Sequence, residues 1–347
     1  CPGAETRLYV LLLDDLHVSS ENTTRVRLAA RQFVEHYTSP SDLVAVVTPG
    51  GRNDLLLGFT HDRERVVAGI EAFTGTKLRS ATYDRYLDKR LGGGAALREG
   101  RDPNDAERAY RARVSMATLA DAARLLSGFK GRRKSVLYFS EGIDYNVADV
   151  MGRIQRYASD VTRFIASAVS AATRGDVTFY AIDPRGLVAV GDEGTEMPLY
   201  EDRQVTGLAE PGRGGEFLQS ILNLRDLAES TGGFAATDLN GFGSAFERIE
   251  RENSGYYVLG FEPSGSIRSG TYRRLQVRVR RAGVVVNARE GYLVGADPPA
   301  PTREAENISP ARTTASSVCR LSRCGHSMCM GRGRSAKAPC AFSSSGR

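Results

Sequence analysis

Two adjacent carboxylates, Asp14 and Asp15, close the apolar run RLYVLLLDD, and His17, Ser19 and Ser20 follow at once. The same combination of an apolar run stopped by oxygen-bearing side chains recurs along the chain. DLVAVVT ends in Thr48, KSVLYFSEG in Ser140 and Glu141, and VTFYAIDPRG in Asp183. Oxygen-only side chains from several strand ends suit a hard divalent cation such as Mg²⁺, which keeps several waters and needs few protein carboxylates. The same acids could also serve a metal-dependent phosphoryl-transfer or hydrolytic reaction. A single acid at a strand end means little, because Asp and Glu commonly cap helices and form turns. The recurrence carries the signal.

The elements that would position these acids follow from periodicity. The four runs are short, continuous and apolar, as expected of strands covered on both faces. Between them, TTRVRLAARQFVEHY puts Val26, Ala29, Ala30, Phe33, Val34 and Tyr37 on one helical stripe. DLLLGFT follows the second strand after only a few residues, too few for a crossover, so it predicts an antiparallel neighbour. Helices are predicted at DRERVVAGIEAF, RARVSMATLADAARLLSGF, VADVMGRIQRYASDVTRFIASAVSAAT, LQSILNLRDLAESTGG and FGSAFERIERENS, and a sixth strand at GYYVLGFEP. Strands alternating with helices predict an α/β fold: a doubly wound, mostly parallel six-stranded sheet with one short antiparallel edge strand. Residues 75–112 are charged and glycine-rich and read as a surface insertion whose Arg and Lys form a solvated face. TYRRLQVRVRRAGVVVNAREGYLV alternates Leu275, Val277 and Val279 with Arg and Gln, which predicts a C-terminal β-hairpin turning near Ala282 and Gly283. It would either extend the sheet or form a small lid.

Composition narrows the function. The chain has 347 residues and a net charge of +6, but the eight Lys and Arg and two Asp and Glu of residues 303–347 account for all of it. The body is balanced, so the basic pI is no sign of nucleic-acid binding. No apolar run is long enough to cross a membrane. Cys319, Cys324, Cys329 and Cys340 all lie in the tail with His326, at spacings that match no C-x2-C zinc pair. The tail, rich in Arg, Ser and Gly, reads as disordered or as a non-native terminus. The chain opens on Cys1 rather than methionine, which fits a missing leader or a fragment, with a lipid-modified cysteine as the other reading.

Taken in order, YVLLLDDLHVSS, DLVAVVT, RRKSVLYFSEGID, LAESTGGFA, YYVLGFEP and YRRLQVRVRRAGVVVNAREGY resemble the von Willebrand factor type A (VWA) domain, in particular the VWFA-related subgroup described from acidobacterial proteins. The resemblance spans about residues 7–294. It implies a Rossmann-like fold over residues 1–262, a hairpin extension over 263–296 and a tail over 297–347. It also implies a protein–protein interaction or adhesion module, with a metal-ion-dependent adhesion site whose Mg²⁺ or other divalent cation is completed by an acidic residue of a protein partner. The family's D-x-S-x-S pattern starts at Asp14, with Leu16 and Val18 in the serine places, or at Asp15, with His17 and Ser19. Both registers stay open. Glu141 corresponds to the aspartate after the fourth strand, Thr82 is a candidate for the loop threonine, and Asp183 is a further candidate ligand. His17 reads as a turn or supporting residue, since Mg²⁺ prefers oxygen. Relatives are often exported, which implies a place outside the cytoplasm.

A receiver domain would need a lysine where Asp183 stands. A haloacid-dehalogenase phosphatase needs D-x-D, and no G-x-S-x-G elbow, P-loop or H-E-x-x-H is present. The reading that follows is a non-catalytic interaction module, with a metal-dependent phosphoryl-transfer or hydrolytic enzyme as the alternative.

Overall fold

The computed structural model describes residues 6–51, 57–79, 104–143, 145, 156–186, 213–237, 241–255, 272–281, 283, 286, 288–289, 291–293 and 340–343. In chain order these form β1 (Leu8–Leu13), α1 (Thr23–His36), β2 (Leu43–Val47), β3 (Leu57–Thr60), α2 (Arg63–Glu71), α3 (Asp105–Ser127), β4 (Lys134–Phe139), α4 (Ala158–Gly175), β5 (Val177–Ile182), α5 (Arg213–Glu229), β6 (Ala235–Ala236) and α6 (Gly243–Ser254). Then come β7 (Tyr272–Arg274), β8 (Gln276–Val279), β9 (Gly291–Leu293) and β10 (Cys340–Ser343).

Six strands make one sheet in the order β3-β2-β1-β4-β5-β6. All neighbours are parallel except β3, which runs antiparallel to β2 at the edge as its short connection requires. β1 is buried along its whole length because helices cover both faces, and its alternation divides the interior in two. Leu8, Val10 and Leu12 enter a core with α3, α4 and α5, while Tyr9, Leu11 and Leu13 enter one with α1, α2 and α6. Burying each such side chain is worth roughly 1.5–3 kcal/mol. The α1 stripe meets the second core as expected: Val26, Ala29, Ala30, Phe33 and Val34 are buried, and Phe33 packs edge-on against Tyr9 at 5.2 Å and Phe246 at 5.4 Å. The start of β1 is fixed to β2 by Arg7, whose guanidinium grips Asp42 at 2.6 and 3.0 Å.

The sixth place in the sheet belongs to β6, two alanines where the sequence predicted no strand. The predicted strand at GYYVLGFEP lies outside the described residues beyond Gly255, as do the first third of the helix predicted from Val147 and most of the insertion. The C-terminal hairpin forms as β7 and β9. Tyr272 faces Leu293 and Arg274 faces Gly291, so the pairing centres between residues 282 and 283, where Gly283 takes a left-handed φ of 76°. Of its two expected roles, extension of the main sheet is not seen among the described residues. Arg289 anchors the hairpin to Thr173 and Asp176 just before β5, at the amino ends of the strands. Within the tail, Cys340–Ser343 pairs antiparallel with β8; the rest lies outside the described residues, as does the stretch with the other three tail cysteines and His326.

Candidate functional site

Strand order reverses between β1 and β4, where one connection leaves toward β2 and the other toward β5. Ligand clefts of open α/β sheets form at such a point, beyond the carboxyl ends of the strands. Asp14, Asp15 and Glu141 all stand there, and the two strands stay zipped past their ends by the Asp14 N–H donating to the Phe139 carbonyl at 2.9 Å.

Asp14 turns inward and is fully buried. Its Oδ2 accepts from the Tyr138 hydroxyl, from the Ser140 hydroxyl at 3.0 Å and from His17 Nδ1 at 2.9 Å. The carboxylate acceptor assigns the His17 proton to Nδ1. Its Oδ1 accepts from the Ser115 hydroxyl of α3 at 2.9 Å and from the Leu16 and His17 N–H groups at 3.3 Å. Burial alone would raise the Asp14 pKa, but the pull of His17 and the hydrogen bonds from His17, Tyr138 and Ser115 outweigh it and hold the carboxyl below its usual range. The Tyr138 phenol moves the other way, raised well above its ordinary value by burial and by the Asp14 charge.

Asp15 points elsewhere. Its Oδ1 accepts the Gly50 N–H at 2.8 Å, beyond the end of β2, and its carbonyl accepts the Thr76 N–H at 2.6 Å and the Thr76 hydroxyl at 2.9 Å. Glu141 is a third, separate arrangement. Its Oε1 accepts the Ser19 N–H at 2.7 Å and the Asn22 amide at 2.9 Å, and its Oε2 meets the Lys77 ammonium at 3.0 Å. Side-chain exposure in this ion pair is only 14% for Lys77 and 5% for Glu141. Burial would raise the Glu141 pKa, yet the Lys77 charge and the Asn22 and Ser19 hydrogen bonds bring it down to about 2. Asp183, at the end of β5, is gripped by Arg185 at 2.7 and 2.9 Å, and that guanidinium also lies over the Phe217 ring at 4.3 Å.

Of the residues expected from sequence, Ser19 and Glu141 come into direct contact through the serine N–H, and the Ser19 hydroxyl accepts from Asn22 at 3.1 Å. Asp14 and Asp15 are directed to different neighbours, Asp183 has its own arginine, and Thr82 lies outside the described residues. A divalent cation asks for several oxygens turned into one space. Both Glu141 oxygens are occupied by protein donors, Leu16 and Val18 bring no side-chain oxygen, and an ammonium faces the carboxylate. Among the described residues no three His, Cys, Asp or Glu side chains gather as a metal-binding group. Among the described residues, the donors as folded do not fit a divalent cation. Sequence reasoning missed Lys77, Thr76, Asn22, Ser115 and Tyr138. The available signal was polar atoms on core elements, Tyr138 within a buried strand and Ser115 on the apolar face of α3.

No protein-family model matches the sequence, and no curated protein does. Solved structures do match. An aerotolerance-related membrane protein from Bacteroides fragilis is 12% identical, with 71% of this chain and 98% of that one covered and a TM-score of 0.38. BatB, a conserved hypothetical protein from Bacteroides thetaiotaomicron, is 14% identical, covering 71% and 96%, with a TM-score of 0.36. An uncharacterised membrane-spanning protein from Vibrio fischeri is 15% identical, covering 71% and 98%, with a TM-score of 0.18.

Proposed function

We propose that this chain is a non-catalytic protein-interaction module of the VWA type, which receives its partner at the carboxyl ends of β1 and β4. The observation that carries this reading is the state of the cleft carboxylates. Asp14 is hydrogen-bonded by His17, and Glu141 and Asp183 are each engaged by a cationic side chain of the protein itself. A general acid or base has to exchange its proton near the working pH. Glu141, held at about 2, stays ionised at neutral pH and is already hydrogen-bonded through both oxygens. Such a cleft presents a fixed surface of charges and turns. The VWA resemblance of the ordered strands and their termini supports the same class, and with it a place outside the cytoplasm.

A photo-crosslinking residue in place of Glu21, which is exposed on the turn beside Ser19 and Asn22, tests the reading in cells of the source organism. A discrete crosslinked protein is expected from Glu21 and none from Arg278, which lies on β8 outside the six-stranded sheet. Turnover of p-nitrophenyl phosphate with Mg²⁺ or Mn²⁺, lost in a folded Glu141→Ala variant, would replace it with the hydrolytic reading.

A further inference from the structure

We infer that the Lys77 ammonium is the working cation of this cleft: the protein carries in covalent form the positive charge that a divalent ion would supply, and recognition there is independent of metal. Three observations support this. First, Lys77 is delivered from outside the strand–turn units that bear the acids. His17 and Arg185 belong to the same turns as Asp14 and Asp183, whereas Lys77 reaches Glu141 across 64 residues of sequence.

Second, the segment that carries Lys77 is built into place. Gly75 N–H donates to the Thr23 hydroxyl at 3.1 Å, Thr76 donates twice to the Asp15 carbonyl, and Lys77 N–H donates to the Val18 carbonyl at 3.0 Å. The segment crosses the β1–α1 turn so closely that a side chain on Gly75 would start 2.3 Å from the Val18 carbonyl oxygen and 2.7 Å from that of Ser19. The segment thus spans the turn that presents Ser19, and Lys77 ends on the same carboxylate as the Ser19 N–H.

Third, the groups around Glu141 are complementary to an ammonium pair and not to a metal. Ser19 and Asn22 aim N–H donors at Oε1, and a donor hydrogen aimed at the carboxylate stands where an ion would need an oxygen. The partner that fits is a protein offering a carboxylate to a site that keeps a small exposed fraction of a lysine. This last step rests on the proposed interaction function; the identity of the cation does not.

The test uses the full chain freed of metal with EDTA. Wild type titrated with millimolar Mn²⁺ should show no saturable binding by electron paramagnetic resonance and no shift of its thermal midpoint. Lys77→Ser, which removes the ammonium and adds an oxygen, should gain a Mn²⁺-dependent rise of the midpoint that disappears in Lys77→Ser/Glu141→Gln. Stoichiometric Mn²⁺ binding by wild type that is lost in Glu141→Gln overturns the inference even if the serine variant fails to fold. So does a folded serine variant that is indifferent to Mn²⁺. Crosslinking through Glu21 should persist in EDTA and fall at least several-fold in Lys77→Ser, while a crosslink that needs Mg²⁺ overturns the inference. Absence of any crosslink counts against the interaction function alone, and the Mn²⁺ titration then decides the identity of the cation.

Discussion

Replacing Lys77 with Met keeps most of the side-chain volume and removes only the charge, so it isolates the ion pair. Glu141 stands at about 2 against an ordinary 4.5, a gap that corresponds to about 3 kcal/mol at 1.36 kcal/mol per unit. Asn22 and Ser19 supply part of it. Removing one partner of a buried pair costs about 3–5 kcal/mol because the other charge is left uncompensated. The two routes meet at a loss of about 3 kcal/mol at pH 7. The sign with pH follows from linkage. A carboxyl whose folded pKa is depressed stabilises the fold fully above its unfolded value and loses that contribution as pH falls toward the folded value. Here the window runs from 4.5 down to about 2. The difference between wild type and Lys77→Met should therefore be constant near neutrality and shrink steadily below pH 4.5. The chain has no tryptophan, so urea unfolding is best followed by far-UV circular dichroism. Lys77→Met/Glu141→Gln, which removes both charges, should recover most of the loss, giving a coupling energy of about 2 kcal/mol in the double-mutant cycle. A coupling below about 0.5 kcal/mol, within the spread of independent sites, or a deficit unchanged between pH 7 and pH 3, would refute the pairing.

Three further perturbations probe the supports of the cleft and the base. Gly75→Ala places a methyl 2.3 Å from the Val18 carbonyl oxygen and should cost about 1–3 kcal/mol, with faster hydrogen exchange at the Lys77 amide that bonds to that carbonyl. Asp14→Ala strands the hydroxyls of Ser115, Tyr138 and Ser140 together with His17 in the interior and should cost about 3–5 kcal/mol in urea unfolding; a change under about 1 kcal/mol would show that the network is not formed. Arg289→Met removes the contacts to Thr173 and Asp176. It should make residues 272–293 sensitive to limited proteolysis while the helix signal of the α/β body is retained, and unchanged protease resistance would contradict the docking.

Strands buried on both faces announce themselves as continuous apolar runs, so β1, β2, β4 and β5 were legible, and the short spacing before β3 gave its direction. The hairpin was legible to its turn, because alternation and Gly283 both marked it. β6 was not, since a two-alanine strand has neither a run nor a period, and its place follows from pairing with β5. The acids at the strand ends were found by the same logic as the strands. Their partners were not. Ser115 lies 101 residues from Asp14 and Lys77 lies 64 from Glu141. Local pattern carries no information about contacts at that separation, and a lysine in a charged, glycine-rich segment is indistinguishable from one on a solvated face.

The paired acids after β1 are explained by pleat and desolvation together. Successive side chains of a strand point to opposite faces, and that alternation continues one turn past the end of β1. Leu12 lies in the core of α3 and α4, and Asp14 follows it to the same side, where Ser115 of α3 receives it. Asp15 turns the other way, toward Gly50 beyond β2. One acid therefore ties the switch point to the helical layer beneath, and the other ties it to the neighbouring strand end. An ionised carboxylate with no exposure costs several kcal/mol unless donors surround it. Asp14 meets that condition with four hydroxyl or ring donors and two backbone N–H groups. A divalent ion drawing on Asp14 would have to strip those donors from it and leave several hydroxyls unpaired in the interior. Glu141 would have to give up an ammonium that is already in contact with it. Opening the cleft to a metal therefore means breaking two buried networks, whereas keeping Lys77 in place breaks none. The same consideration makes Lys77 a cation whose removal would leave the Asp14 network undisturbed.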